Sequence, residues 1–344
     1  MSQLNFKKEL IFAQIRNPLK DFSLTEEPIE IRWDPLLQYT TRITKPKGLD
    51  KGPENNPLDK FVKESKSCFF CEGRVESQTP MLPETIDKVG RIEVGEALVF
   101  PNLSGFGLYS GVCIFSKKHF LAINDFTPDL ISNALKACRT YLQKCASKHS
   151  RSLYPSINGN YLLPAGSSIL HPHLQPFLDP VPTNYHQRLL EYSQKFYENN
   201  KKNFWDLFKQ KEISNKERFL AQTDHCFVYV PFAPQGFNEI NLLIGKGKTY
   251  LEFSDSVLKD ISQIVQKILL YYHKIVHNSF NLALFSPPVG RDNNHHFPCL
   301  LKICSRPVFQ GHYRNDVTFF EKFHLESMLD KSPETVAEEF RSFI

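Results

Sequence analysis

The chain has 344 residues, 41% of them hydrophobic and 23% charged, enough to bury a large core in two domains or one duplicated architecture. A net charge of +5, with Lys and Arg scattered among acidic neighbours, gives no nucleic-acid footprint and suits a small anionic ligand better. No apolar run approaches a membrane span, and Met1–Leu10 is charged where an export signal is apolar. A cytoplasmic protein is therefore expected, its eight cysteines reduced or bound to metal.

In chain order, the turn Asp34-Pro35 followed by Tyr39, Thr40, Thr41 and Ile43 predicts a hairpin, with Arg42 and Lys45 near the end of its second strand. Two cations there can grip a phosphate or simply protect a solvated sheet edge. Residues 46–66, rich in Pro, Gly and Asn, read as loop. Cys68 and Cys71 then supply half of a tetrahedral zinc site from a tight turn that Gly73 eases; a redox pair or two buried thiols are the competing readings. Strand, turn and strand follow between Glu96 and Phe115, with Asn102 after the first strand and His119 past the second. Thr127 fits an N-cap and Pro128 the first position of a helix running to about Lys148.

A further strand leads into Asn160-Tyr-Leu-Leu-Pro-Ala-Gly-Ser-Ser168-Ile-Leu-His171-Pro-His173-Leu-Gln175. In extended backbone His171 and His173 share one face, about 6–7 Å apart, and can serve adjacent sites. Pro172 predicts an edge or terminal strand. Two core histidines beside a turn is the bland alternative. Residues 185–218 read as helices packed on one face, their charges, Glu212 included, forming a solvated surface. The second half then repeats the first. Strands at Cys226–Phe232 and Glu239–Gly245 and a helix from Val257 to His277 mirror residues 97–148, an internal duplication. His295-His296-Phe-Pro-Cys299 stands where the His171 motif would fall, without its spacing, so one half should hold the chemistry.

Taken together, Cys68-x-x-Cys71-x-Gly73, Phe100-Pro-Asn102, the histidine after a strand and Asn160-x5-Gly166-x-Ser168-x-x-His171-Pro-His173-x-Gln175 resemble the galactose-1-phosphate uridylyltransferase family of the histidine-triad superfamily. The likeness spans roughly residues 30–180. It implies an α+β fold of duplicated histidine-triad-like halves, each an antiparallel sheet with packed helices. The corresponding division is an N-terminal half at 1–184, a helical linker at 185–223 and a degenerate repeat at 224–344. It further implies a structural Zn2+ held by Cys68, Cys71, His119 and His171, His173 as nucleophile, and Asn102, Asn160, Ser168 and Gln175 around the substrate phosphate. Arg42 and Lys45 look like the family's Arg-x-x-Arg-Pro segment with lysine in second place.

The activity so implied moves a nucleoside monophosphate, UMP in this family, from a nucleotide sugar to a hexose 1-phosphate through a nucleotidyl-histidine. The alternatives are a phosphorylase that uses inorganic phosphate and a zinc-stabilised nucleotide-binding module without catalysis. No nucleic-acid or membrane partner is expected, and the resemblance implies a homodimer. In the acceptor segment Glu321 keeps a carboxylate for sugar hydroxyls. Phe320, Asn315 and Ser327 replace the family's tyrosine, lysine and glutamine, so weak galactose specificity is expected. No second metal is expected, because the family's His-x-His-Phe segment is here Asn294-His295-His296-Phe297.

Overall fold

The computed structural model describes residues 4–44, 57–65, 68–245, 247–290, 296–308 and 317–344. Lys45, most of the loop expected at 46–66, His295 and Asn315 lie outside the described residues. Strands β1 (Lys8–Asn17), β2 (Ser23–Trp33) and β3 (Thr40–Thr44) open the chain. The expected hairpin is the β2–β3 pair, shaped by Asp34, whose Oδ1 accepts from the N–H groups of Leu36 (2.9 Å) and Leu37 (2.6 Å) in an Asx turn. Helices α1 (Pro57–Glu64) and α2 (Val75–Gln78) precede β4 (Ile92–Val94), β5 (Ala97–Pro101) and β6 (Tyr109–Ile114). Next come α3 (Pro128–Ala146), β7 (Tyr154–Tyr161) and β8 (His173–Asp179). Helices α4 (Asn184–Asn200) and α5 (Phe204–Asn215) lead to β9 (Phe219–Gln222), β10 (Cys226–Tyr229) and β11 (Phe237–Ile244). The chain closes with α6 (Asp255–Lys274), β12 (Ser279–Phe285), β13 (Cys299–Arg306), β14 (Ser327–Leu329) and α7 (Pro333–Phe343).

Ten strands form one antiparallel sheet in the order β4-β5-β6-β8-β7-β12-β13-β11-β10-β9. Read outward from the β7–β12 seam, each side has the same sequence of roles, and α3 and α6 occupy equivalent places. This is the duplication expected from the sequence, and the α+β class holds. Thr127 caps α3 as expected, its Oγ1 accepting from Leu130 N at 3.3 Å, with Pro128 in the first turn. The remaining four strands form a second sheet, β1-β2-β3-β14, in which β14 runs parallel to β3.

Strand alternation gives the large sheet two different faces. Ile157, Tyr161, Leu174, Leu242, Leu282, Leu301 and Ile303 point to the face covered by α3 and α6 and join Ile131, Leu135, Leu142, Ile261, Val265 and Ile268 in the main core. Asn158, Asn160, His173, Gln175, Asn281 and Lys302 occupy the alternate positions on the other face. On the second half that face is roofed by the linker helices, with Leu189, Phe204, Trp205 and Phe208 packed over Tyr229, Leu243 and Leu300.

Three expectations need correction. Within residues 46–66, read as loop, Pro57–Glu64 form helix α1, with Pro57 in its first turn. β8 lies between β6 and β7, so the His171 motif feeds an interior strand and not an edge. Pro172 is tolerated because it stands immediately before the strand, where it needs no ladder donor and its carbonyl accepts from Phe115 N. Glu212 belongs to no solvated surface; it is fully buried, with Oε1 accepting from Arg218 Nη2 at 3.0 Å. Arg218 also donates to Glu334 of α7 (2.7 Å), and Arg32 of β2 grips that carboxylate with two bonds of 2.8 and 2.7 Å. Both guanidinium groups lie against the Phe232 ring. Burial pushes the Glu212 carboxyl up to about 7 despite Arg218. Burial alone would also raise Glu334, but its hydrogen bonds to Arg32 and the two cations hold it at about 2. Among the described residues no helix is long and apolar enough to cross a membrane.

Candidate active site and metal cluster

Four potential ligands converge from three separate segments. The turn after α1 brings up Cys68 and Cys71, closed by Cys71 N–H to Cys68 O and followed by Gly73 at φ +77°, a left-handed position that glycine takes without strain. His119 follows β6, and His171 precedes β8. Cys71 Sγ lies 3.3 Å from His119 Nδ1 and 3.8 Å from His171 Nδ1, and Cys68 Sγ lies 4.0 Å from His171 Nδ1. All four donor atoms fall within 4.8 Å of one another.

A tetrahedral zinc with ordinary Zn–S and Zn–N bonds separates its donors by about 3.3–3.8 Å, so the set has the right size as well as the right chemistry. The buried imidazole of His171 is oriented from behind, its Nε2 donating to Ser116 O at 2.8 Å, which leaves Nδ1 to face the thiols. Burial, partly offset by that bond, lowers His171 to about 4, and burial together with the adjacent Cys68 pushes the Cys71 thiol up to about 11. A divalent cation at the centre reverses this pressure on the thiols, since it binds thiolate.

Two residues on, His173 starts β8 and turns into a different space. Its Nδ1 lies 2.9 Å from His171 O; the imidazole donates there, which leaves the Nε2 lone pair unprotonated. Burial lowers the His173 pKa, with the bond to His171 O opposing in part, so the ring is neutral near pH 7. The Phe70 ring packs edgewise on both histidines, with centroids 6.1 Å from His171 and 5.5 Å from His173, and thus stands between the Cys2His2 set and the cavity. That cavity, about 310 Å3, is lined by His173 and Gln175 of β8, Asn160 of β7, Asn102 after β5, and the loop Gly166–Ile169, with Phe69, Phe70, Phe100 and Val112 as apolar wall. The loop is tightly wound. Leu162 takes a positive φ of +68°, its carbonyl accepts from Ala165 N and Ser167 N, and Gly166 stands at φ +84°. Ser168 is exposed at the rim.

Five of the residues singled out in the sequence therefore meet around one cavity: Asn102, Asn160, Ser168, His173 and Gln175. Two do not. Arg42 donates from Nε to Glu326 Oε1 at 2.8 Å and does not line the cavity. Glu321 lies in a separate cavity with Arg306 and Met328, where its carboxylate accepts from Thr318 N (2.8 Å), Thr318 Oγ1 (2.7 Å) and Met328 N (3.2 Å). Those bonds lower its pKa although burial opposes them.

Asn281 carries no signal that a reading of spacing or motifs would find. It faces Asn160 across the seam and donates from Nδ2 to Asn160 Oδ1 at 2.7 Å, while its own Oδ1 accepts from Arg306 Nη1 at 2.6 Å. The Asn160 amide is thereby turned so that its N–H groups remain to serve the cavity. Only the long-range strand register reveals this contact.

An uncharacterized protein of Archaeoglobus fulgidus is 32% identical over 340 residues, 98% of each chain. A galactose-1-phosphate uridylyltransferase of Kluyveromyces lactis is 24% identical over 179 residues, 50% of this chain and 48% of that protein. Among solved structures, an ADP-glucose phosphorylase of Arabidopsis thaliana with bound ADP-glucose superposes with a TM-score of 0.70 at 18% identity, covering 91% of this chain and 98% of that one. No protein-family model matches the chain.

Proposed function

We propose that the chain is a divergent member of the galactose-1-phosphate uridylyltransferase family, a reading its similarity to such an enzyme and its fold support, and that it is a nucleotidyltransferase working by double displacement through His173. The observation that carries this reading is the 2.9 Å bond from His173 Nδ1 to His171 O. It fixes the tautomer whose Nε2 lone pair serves as nucleophile. In the first step Nε2 attacks the α-phosphorus of a nucleotide sugar and the bond to the bridging oxygen breaks. The sugar 1-phosphate leaves as a dianion, its second pKa being about 6, so no general acid is required. In the second step a phosphate oxygen of the acceptor attacks the same phosphorus and the N–P bond breaks, restoring the neutral imidazole.

Asn102, Asn160, Ser168 and Gln175 supply neutral hydrogen-bonding groups for the charge on the transferring phosphoryl group. Cys68, Cys71, His119 and His171 would hold Zn2+, which supplies a structural cross-link when bound; with four protein ligands it keeps no open position for a hydrolytic water. Transfer of UMP from UDP-glucose to a hexose 1-phosphate is the form the family suggests. The placement of Glu321 favours a second reading, a phosphorylase with inorganic phosphate as acceptor, because its carboxylate lies outside the His173 cavity and is engaged locally.

Incubation with UDP-glucose or ADP-glucose in the absence of acceptor should add one nucleotidyl mass to the intact protein, acid-labile and absent in His173→Ala. Equal labelling of the alanine variant would exclude His173. Single-turnover discharge of the labelled protein to galactose 1-phosphate, glucose 1-phosphate and inorganic phosphate then separates the two readings.

A further inference from the structure

The space beside His173 does not end at the seam between the halves. Asn160 lines both the His173 cavity and a second one, of about 630 Å3, that continues along β12 and β13, a size usual for small-molecule sites. Strand register lays out its floor. Asn158 pairs with Ala283 and Ala283 with Lys302, while in the next row Asn160 pairs with Asn281. Directly opposed residues share a face, and β13 lies two strand spacings, about 10 Å, from β7. At the far end Lys302 Nζ stands 2.6 Å from Gln235 Oε1, 2.9 Å from Tyr185 OH and 3.2 Å from Glu239 Oε1. The ammonium donates to Gln235 and Tyr185, which leaves the Gln235 amide N–H groups and the Tyr185 hydroxyl proton to be given elsewhere. Its contact with Glu239 is an ion pair without hydrogen-bond alignment. Glu239 Oε1 is thus a carboxylate oxygen, on a residue 2% exposed, that takes no hydrogen bond, and a buried acceptor is costly to leave unmet.

We infer that this second cavity holds the sugar ring of the nucleotide sugar, with Glu239 Oε1 accepting from one ring hydroxyl and Tyr185 and Gln235 donating to its neighbours. The inference rests on the reading of His173 as the nucleophile. Among the described residues Lys302 and Glu239 are the charged side chains of the lining. Their charges cancel, so the cavity suits a neutral, hydroxyl-bearing group better than a second phosphate. Tyr185 and Phe285, with ring centroids 5.3 Å apart, give it an apolar wall, and a pyranose offers both hydroxyl edges and apolar C–H faces. A phosphorus at His173 Nε2, held beside Asn160, leaves the wall of Phe69, Phe70 and Phe100 to the nucleobase and the cavity beyond Asn160 to the sugar. Glu321, the carboxylate expected to meet the sugar, lies in another cavity and is engaged by Thr318 and Met328. The half that lacks the histidine pair thereby reads the substrate that the other half cleaves.

The test is calorimetric titration in the His173→Ala background, which cannot form the covalent intermediate, with UDP, ADP, UDP-glucose and ADP-glucose as probes. Two further substitutions are compared there: Glu239→Gln, which keeps the size and removes the charge, and Ala283→Phe, which fills the cavity floor. For whichever nucleotide binds, each should weaken the nucleotide sugar by about 10-fold or more, while the matching diphosphate stays within about 2-fold. Retained diphosphate affinity also shows that the variants fold. A nucleotide sugar bound by either variant as tightly as by the parent, or a diphosphate weakened as much as its sugar, would overturn the assignment. Failure of the His173 reading looks different, as covalent labelling of the alanine variant or as no binding of any of the four probes, and either result takes the sugar site with it.

Discussion

The two halves of the large sheet share strand order and helix placement, yet on the face away from α3 and α6 they are covered differently. Over β8 that face is open and holds a cavity at His173; over β10, β11 and β13 it is roofed by α4 and α5 through Leu189, Trp205 and Phe208. The central strands follow suit. His173 uses one ring nitrogen for His171 O and keeps the other available. Lys302, on β13, has its ammonium taken up by Gln235 Oε1 (2.6 Å), Tyr185 OH (2.9 Å) and Glu239 Oε1 (3.2 Å). The duplicated fold thus covers β10 and β11 of one copy, leaving an open cavity along β12 and β13, and keeps the His173 side of the other copy open. A polar group becomes available for chemistry when its last partner is withheld.

The strongest test of this contrast is His173→Ala, which should lower nucleotidyl transfer by at least about 10^3-fold with little change in thermal stability. Unchanged activity in a well-folded variant would refute the contrast at its centre. The opposite behaviour is expected under the roof. Trp205→Ala should cost about 3–5 kcal/mol of stability in denaturant titration, while the transfer rate per folded molecule stays within roughly 3-fold of wild type. A next smaller effect is expected at the metal cluster, where Cys71→Ser should lower the melting temperature, and a chelator should lower that of wild type but not of the variant.

At the seam, Asn281→Ala leaves Asn160 without its orienting bond and should slow transfer by about 2–10-fold, the equivalent of roughly 1 kcal/mol. A larger fall would mean that the second half contributes directly to the site. The remaining effect is one of curve shape. Glu334 is held at about 2 in the folded chain against an ordinary value near 4.5, so the stability it contributes is present above about pH 4.5 and lost as pH falls toward 2. Glu334→Gln should remove that part of the acid dependence, as read by denaturant midpoints from pH 5 to 2.

Much of the site was legible because it is local. Cys68-x-x-Cys71 and His171-x-His173 carry their spacing in the sequence, and strand alternation alone sends His173 and Gln175 to the face opposite Leu174. The duplication was visible for the same reason, as a repeated order of short patterns. What stayed hidden depends on pairings between distant segments. Pro172 could enter an interior strand because it falls one residue before the ladder begins. Glu212, a carboxylate amid lysines in sequence, is buried because Arg218 folds back on it, and Asn281 meets Asn160 only once the two halves share a sheet. The open or roofed state of each half is likewise set by where α4 and α5 land, which no residue spacing encodes.

The seam also has a consequence for synthesis. The first half is complete when β8 has been made, but the ladder partner of β7 on its free side is β12, more than a hundred residues downstream. At about 5–20 residues per second the edge of β7 therefore waits on the order of 5–25 s on the ribosome, exposed to other nascent chains. β7 reads Tyr-Pro-Ser-Ile-Asn-Gly-Asn-Tyr, and its Pro155, Asn158, Gly159 and Asn160 are poor strand formers that make this edge a weak template for wrong partners. Asn160, which lines the cavity in the finished protein, is among them.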